Sequence, residues 1–168
     1  NETLECWEIA LKSQSTPSAI ALSRQKVPYI NPKDTKENKC KKGAYVVNIT
    51  SHENKVTIIA SGTEVELALK VQDKLKENNI HSKVVSMPCM ELFDQQPEDY
   101  RKDVIEESSL VVTLEAGSIC SWQKYVRNKG MNIGIDQFGE SAPYKDVYNH
   151  FSLTEDKITN FIQKKLRE

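Results

Sequence analysis

Arg24 is the side chain in this sequence best placed for binding chemistry. It follows a compact apolar run, Ala19–Leu22, that reads as a short strand ended by Ser23, Arg24 and Gln25. A guanidinium at the carboxyl end of a strand can grip a phosphate through two parallel hydrogen bonds. A salt bridge to a neighbour outside this chain is the plainer alternative. Two further loops sit where an apolar run gives way to a helix pattern. Ser61-Gly62-Thr63 can present backbone N–H groups to an anion. It has neither GxGxxG nor GK[ST], and so reads first as a capped turn. Glu115-Ala116-Gly117-Ser118 takes the equivalent place after a later run. Both loops are expected along the sheet edge where α/β proteins bind ligands. A buried Glu115 would pair with a backbone donor or a partner chain as readily as it would move a proton.

The other reactive residues are isolated. His52, His81 and His150 stand far apart, with no nucleophile or metal ligand close in sequence. Ser118, Cys120 and Ser121 have no base nearby, so surface or packing roles are expected. The four cysteines, Cys6, Cys40, Cys89 and Cys120, form no CxxC pair. That argues against a metal knuckle or redox motif and for reduced thiols in the cytoplasm. Asn48-Ile49-Thr50 fits a glycosylation sequon, which we read as chance.

The elements that must position these groups follow from pattern. Glu2–Lys12 is a short amphipathic helix with Leu4, Trp7, Ile9 and Leu11 as apolar cover and Thr3 as cap; Pro17 blocks its extension. Asn31–Lys42 is polar and lysine-rich, and reads as a solvated linker. Ala44–Ile49 reads as a strand and Val56–Ala60 as a strand apolar on both faces. Glu64–Glu77 reads as a helix opened by a Thr63/Glu66 capping box. The unit repeats through strands at Lys83–Ser86, Leu110–Leu114 and Met131–Ile135. Helices are expected over Pro97–Glu106, from Ser118 to about Asn128–Gly130, over Pro143–His150 and over Thr154–Leu166. The last turns Ile158, Phe161, Ile162 and Leu166 inward. Strands alternating with helices imply a mostly parallel, layered α/β sheet.

Composition sets the outer bounds. A chain of 168 residues has room for one domain and an appendage. With 38% hydrophobic and 28% charged residues, it can bury a modest core and is not a disordered type. A net charge of −1 gives no field to draw in nucleic acid or an anionic membrane. No apolar run approaches the ~18 residues of a membrane helix, and Asn1–Leu11 has no signal-peptide pattern. A start at Asn1 instead of Met fits a chain that begins in mid-protein.

Longer motifs carry a family resemblance. ALSRQ (Ala21–Gln25), GAYVV (Gly43–Val47), ASGTEVELAL, SMPCMELFDQQPEDYR, LEAGS and GIDQFGESAP (Gly134–Pro143) occur in this order. Together they resemble the end of the middle, pyrimidine-binding domain and the whole C-terminal domain of transketolases. Met90 stands where family members often have a tryptophan. The resemblance implies a three-layer α/β domain, mostly parallel, with one antiparallel edge strand. It divides the chain into a middle-domain tail (1–30), a linker (31–42) and the C-terminal domain (43–168). It implies an intact, dimeric, cytoplasmic enzyme of the pentose phosphate pathway. That enzyme moves a two-carbon ketol unit between sugar phosphates with thiamine diphosphate and Mg²⁺ or Ca²⁺. Arg24 corresponds to the arginine that contacts the substrate phosphate. The family's GDG cofactor motif and its catalytic glutamate do not occur here, so this chain alone is expected to be inactive and to bind no cofactor. Its partners would be the remaining domains, with no nucleic acid and no membrane. The rival readings are a small-ligand-binding regulatory module at the sheet edge and the C-terminal subunit of a split enzyme.

Overall fold

In the computed structural model, residues 1–30, 37–106, 109–126 and 130–168 are described. In chain order the elements are helix α1 (Glu2–Lys12), a 3-10 turn (Lys39–Lys42), strand β1 (Tyr45–Ile49) and strand β2 (Val56–Ala60). Helix α2 (Glu64–Glu77), strand β3 (Ser82–Ser86), helices α3 (Met90–Asp94) and α4 (Glu98–Val104) and strand β4 (Leu110–Leu114) follow. A second 3-10 segment (Cys120–Tyr125), strand β5 (Met131–Ile133) and helices α5 (Tyr144–His150) and α6 (Glu155–Lys165) complete the chain.

The strands form one sheet in the order β1-β3-β2-β4-β5. β3, β2, β4 and β5 run parallel, and β1 joins β3 antiparallel at the edge with a register shift between Val46 and Asn48. β2 lies at the centre, and every one of its residues is buried. Alternation along the strands serves two cores. Val56, Ile58, Ala60, Val84, Val112 and Leu114 face α2 and α6, meeting Val65, Ala68, Val71, Leu75, Ile158 and Ile162. Ile59, Val85 and Val111 face the other way, onto Phe93, Val104, Trp122 and Tyr125. These are the three layers that the resemblance implies.

Several local expectations give way to tertiary context. Ala19–Leu22 forms no strand, because among the described residues no neighbouring strand takes its N–H and C=O groups. Thr3 does not cap α1, whose N-cap position is Asn1. The Thr63/Glu66 capping box does not form. Thr63 already has helical angles (φ −65°, ψ −29°), and Glu66 pairs instead with Lys70 at 2.6 Å. The Ser86–Pro97 stretch contains the short α3, whose Phe93 fills the second core. The segment after Ser118 winds as a 3-10 helix, and its expected end at Asn128 lies outside the described residues, as do residues 31–36 of the expected linker. β5 stops at Ile133, because Ile135 N–H turns to the Gly117 carbonyl at 2.7 Å. In α6, Ile158 and Ile162 are buried while Phe161 and Leu166 stay exposed. One isoleucine per turn meets α2, and the buried stripe is narrower than the apolar pattern.

The apolar face of α1 is also turned the other way from a core. Leu4 and Leu11 are 75% and 77% exposed. The docked face is acidic instead. Glu2 accepts from Tyr45 Oη at 2.9 Å and from Ser86 Oγ. Glu5 accepts from the Lys39 and Cys40 N–H groups, and Glu8 from Asn38 Nδ2 at 2.8 Å.

Candidate functional site

The chain leaves β2 for β3 on one side and later crosses to β4 on the other, so the carboxyl end of β2 is a topological switch point. Loops diverge at such a point and leave a crevice. Here it is a cleft of about 340 Å³ bordered by Ser61 after β2, Met87–Met90 after β3, and Glu115, Gly117 and Trp122 after β4. The two loops singled out by sequence do meet along one edge. The Glu115 loop is braced from β5. Glu115 N–H donates to the Ile133 carbonyl at 3.0 Å, and Asp136 Oδ1 accepts from Ser118 Oγ at 3.0 Å and Ile119 N–H at 3.1 Å. Gly134 is required at this crossing, since a Cβ there would lie 2.5 Å from Ile119 Cγ2 and 2.8 Å from the Gly117 carbonyl oxygen.

Glu115 is the centre of the cleft's electrostatics. Its Oε2 accepts from Trp122 Nε1 at 3.1 Å and from Ser61 Oγ at 3.4 Å. Burial, reinforced by the charge of Glu64, raises its pKa against these donors. Glu64 lies at the start of α2, only 5% exposed, and accepts from Thr63 Oγ1 at 2.6 Å and from Tyr148 Oη. Burial and the Glu64 contact push the Tyr148 phenol up. Two carboxylates thus occupy the space beside the Ser61-Gly62-Thr63 loop. Their charge opposes an anion there, and among the described residues that line the cleft the charged ones are Glu91 and Glu115. The partners of Glu115 are an indole N–H, a hydroxyl and, as expected, a backbone donor, the Ala116 N–H.

The histidines stay apart. His52 and His81 precede β2 and β3 and lie exposed at the amino ends of the strands. His150 ends α5 and stacks edge-on against Phe151 at 4.8 Å. Ser118, Cys120 and Ser121 are at the opposite, carboxyl end. No nucleophile–base pair is assembled from them. Among the described residues no cluster of His, Cys, Asp and Glu is arranged to hold a metal ion. The described residues therefore offer no ligand set for a metal-bound diphosphate. Arg24 lies exposed in the irregular segment after α1 and does not border the cleft. Sequence reading missed Glu64 and Tyr148, which are separated by 84 positions and leave no local signal. It also missed the acidic face of α1, although Glu2, Glu5 and Glu8 recur at helical spacing.

Comparison with known proteins places this geometry. Residues 43–154 match the family model of the transketolase-like TK C-terminal domain. A transketolase from Aquifex aeolicus is 40% identical over 167 residues, 98% of this chain and 24% of its own length. The structure of a transketolase from Leishmania mexicana superposes with a TM-score of 0.89 at 34% identity, over 99% of this chain and 24% of that one. A transketolase from Pichia stipitis, solved in complex with sedoheptulose 7-phosphate, superposes with a TM-score of 0.89 at 28% identity and the same coverage. The chain spans about a quarter of the length of the relatives it matches. Among the described residues, no helix is long and apolar enough to cross a membrane. By family model, by sequence and by its mixed five-stranded sheet, the chain belongs to the transketolase family and carries the family's C-terminal domain.

Proposed function

We propose that this chain is the C-terminal portion of a transketolase that transfers a two-carbon ketol unit between sugar phosphates. The observation that carries the reading is identity of 40% across nearly the whole chain to a named transketolase of four times the length. In this reading residues 1–30 end the middle domain, 31–42 link, and 43–168 form the C-terminal domain; the family match beginning at residue 43 supports that division. Thiamine diphosphate and its divalent cation, which supply the carbanion chemistry when bound, are held by residues outside this chain. The chain's own work is to pack on the other domains of a cytoplasmic dimer and to present Arg24 to the phosphate of the sugar. An exposed guanidinium on irregular backbone is free to meet a ligand held by neighbouring domains. The Pichia stipitis relative bears on the ligand class, being a complex with a sugar phosphate.

The test uses the full-length protein. Arg24→Leu should lower kcat/KM for a phosphorylated ketose by roughly 10–100-fold, the value of one or two hydrogen bonds to a charged group. Turnover of an unphosphorylated ketose should be unchanged. Equal losses on both substrates would remove the phosphate role. Ketol transfer by the isolated 168-residue chain with thiamine diphosphate and Mg²⁺ would overturn the division of labour. The regulatory-module reading is not favoured for phosphorylated ligands, because the cleft is lined by carboxylates.

A further inference from the structure

The carboxylates that dock α1 also bring two thiols together. Glu5 Oε2 accepts from Lys39 N–H at 2.7 Å and Cys40 N–H at 3.1 Å, which seats the 3-10 turn against the first turns of α1. Cys40 Sγ then lies 4.0 Å from the Glu2 carbonyl oxygen. In an α-helix that carbonyl receives the N–H of residue 6. The side chain of residue 6 leans toward the helix N-terminus, over the same turn. Cys6 is half-buried there and Cys40 is 1% exposed, so the two thiols share one turn of α1. Cys89 borders the carboxyl-end cleft, with its N–H on the Gly43 carbonyl at 3.0 Å, and Cys120 lies exposed after β4.

We propose that Cys6 and Cys40 are a redox-sensitive pair, oxidised by a hydroperoxide to a disulfide that fastens α1 to the α/β body. The roles of the two sulfurs follow from their surroundings. The Cys40 side chain beside it holds the Cys6 thiol below its ordinary value. The neighbouring Cys6, with burial and the nearby Glu2 and Glu5 carboxylates, holds Cys40 above. Cys6 is therefore the thiolate that reacts first. Its sulfur attacks the peroxide O–O bond, which breaks to leave a sulfenic acid on Cys6 and an alcohol or water. Cys40 sulfur then attacks the Cys6 sulfur. The S–S bond forms, the S–O bond breaks, and the departing oxygen leaves as water with the Cys40 proton. Two thiols and one hydroperoxide give one disulfide, one alcohol (or water) and one water.

The pair bridges the segment that carries Arg24, so closing it ties both ends of that segment to one body. The experiment treats the folded 168-residue chain with hydrogen peroxide, blocks free thiols with iodoacetamide and maps the digest by mass. A linked peptide joining Cys6 to Cys40, two hydrogens lighter than its parts and lost on reduction, is expected. Cys6→Ser should leave Cys40 alkylatable only after unfolding, with no link formed. In the oxidised chain, amide exchange across Glu2–Lys12 should slow by on the order of ten-fold. Recovery of Cys6 and Cys40 as alkylated thiols after treatment would overturn the proposal. So would links to Cys89 or Cys120, or a yield that is as high in urea as in the fold.

Discussion

Glu115 carries a charge that its surroundings oppose, and that opposition has a measurable sign. In the unfolded chain the carboxyl returns to its ordinary value of about 4.3. In the fold, burial and Glu64 hold it higher. As pH rises from the unfolded to the folded value, the folded state holds more protons than the unfolded one, so stability falls across that window. Above it the cost is constant. Glu115→Gln keeps an oxygen for Trp122 Nε1 and Ser61 Oγ and removes the charge. Relative to wild type, the variant should gain stability as pH rises from about 4 through the raised value of the folded carboxyl. Melting curves across that range would check it; a constant difference would mean that the charge is fully solvated. Glu115 is visible in the sequence because it directly follows an apolar strand. What it meets is not, since Trp122 reaches it through a 3-10 turn and Glu64 through the packing of two separate loops.

Elements with strong local pattern are placed by the sequence to within a residue. Val56–Ala60, Glu64–Glu77 and Leu110–Leu114 match their expected spans, because runs apolar on both faces and a broad helical stripe leave few alternatives. Elements defined by a partner are harder to read. Ala19–Leu22 has a strand's composition and no strand beside it, and α3 is five residues held by Phe93 in the second core. Gly43 shows how one residue can join two elements. It ends the 3-10 turn at φ 78° and leads into β1. A Cβ there would lie 2.2 Å from Phe93 N and 2.4 Å from the Cys89 carbonyl oxygen, both backbone atoms that cannot swing away. Gly43→Ala should cost roughly 1–2 kcal/mol for the left-handed backbone and about 1–3 for overpacking. A total near 3 kcal/mol corresponds to a fall in Tm of roughly 6–12 °C for a domain of this size. Calorimetry would measure it. A Tm unchanged from wild type would mean that the α3 loop does not approach the turn as closely as the structure has it.

At the scale of the whole molecule, α1 reverses the usual arrangement, with carboxylates docked and apolar side chains outward. Leu4, Trp7 and Leu11 lie on the free face at helical spacing, and Leu22, Val27 and Tyr29 in the segment after the helix are exposed as well. A single exposed leucine needs no explanation, but a contiguous apolar face marks a contact surface. The relatives are about four times as long as this chain, so most of their residues lie outside the matched part. Those residues are the expected cover. The chain has two tryptophans, Trp7 at 48% exposure and Trp122 at 3%, which makes the question spectroscopic. In the isolated chain, acrylamide should quench a component of fluorescence that Trp7→Phe removes, while Trp122 remains protected. In the longer protein, the component removed by the same substitution should be several-fold less accessible. This face has no signature within the sequence beyond its spacing, because amphipathicity records that a helix is two-sided and not which side meets which domain. Equal quenching of Trp7 in both proteins would mean that the α1 face is solvent-exposed in the assembled enzyme, and that the acidic contacts to the C-terminal domain alone hold the helix in place.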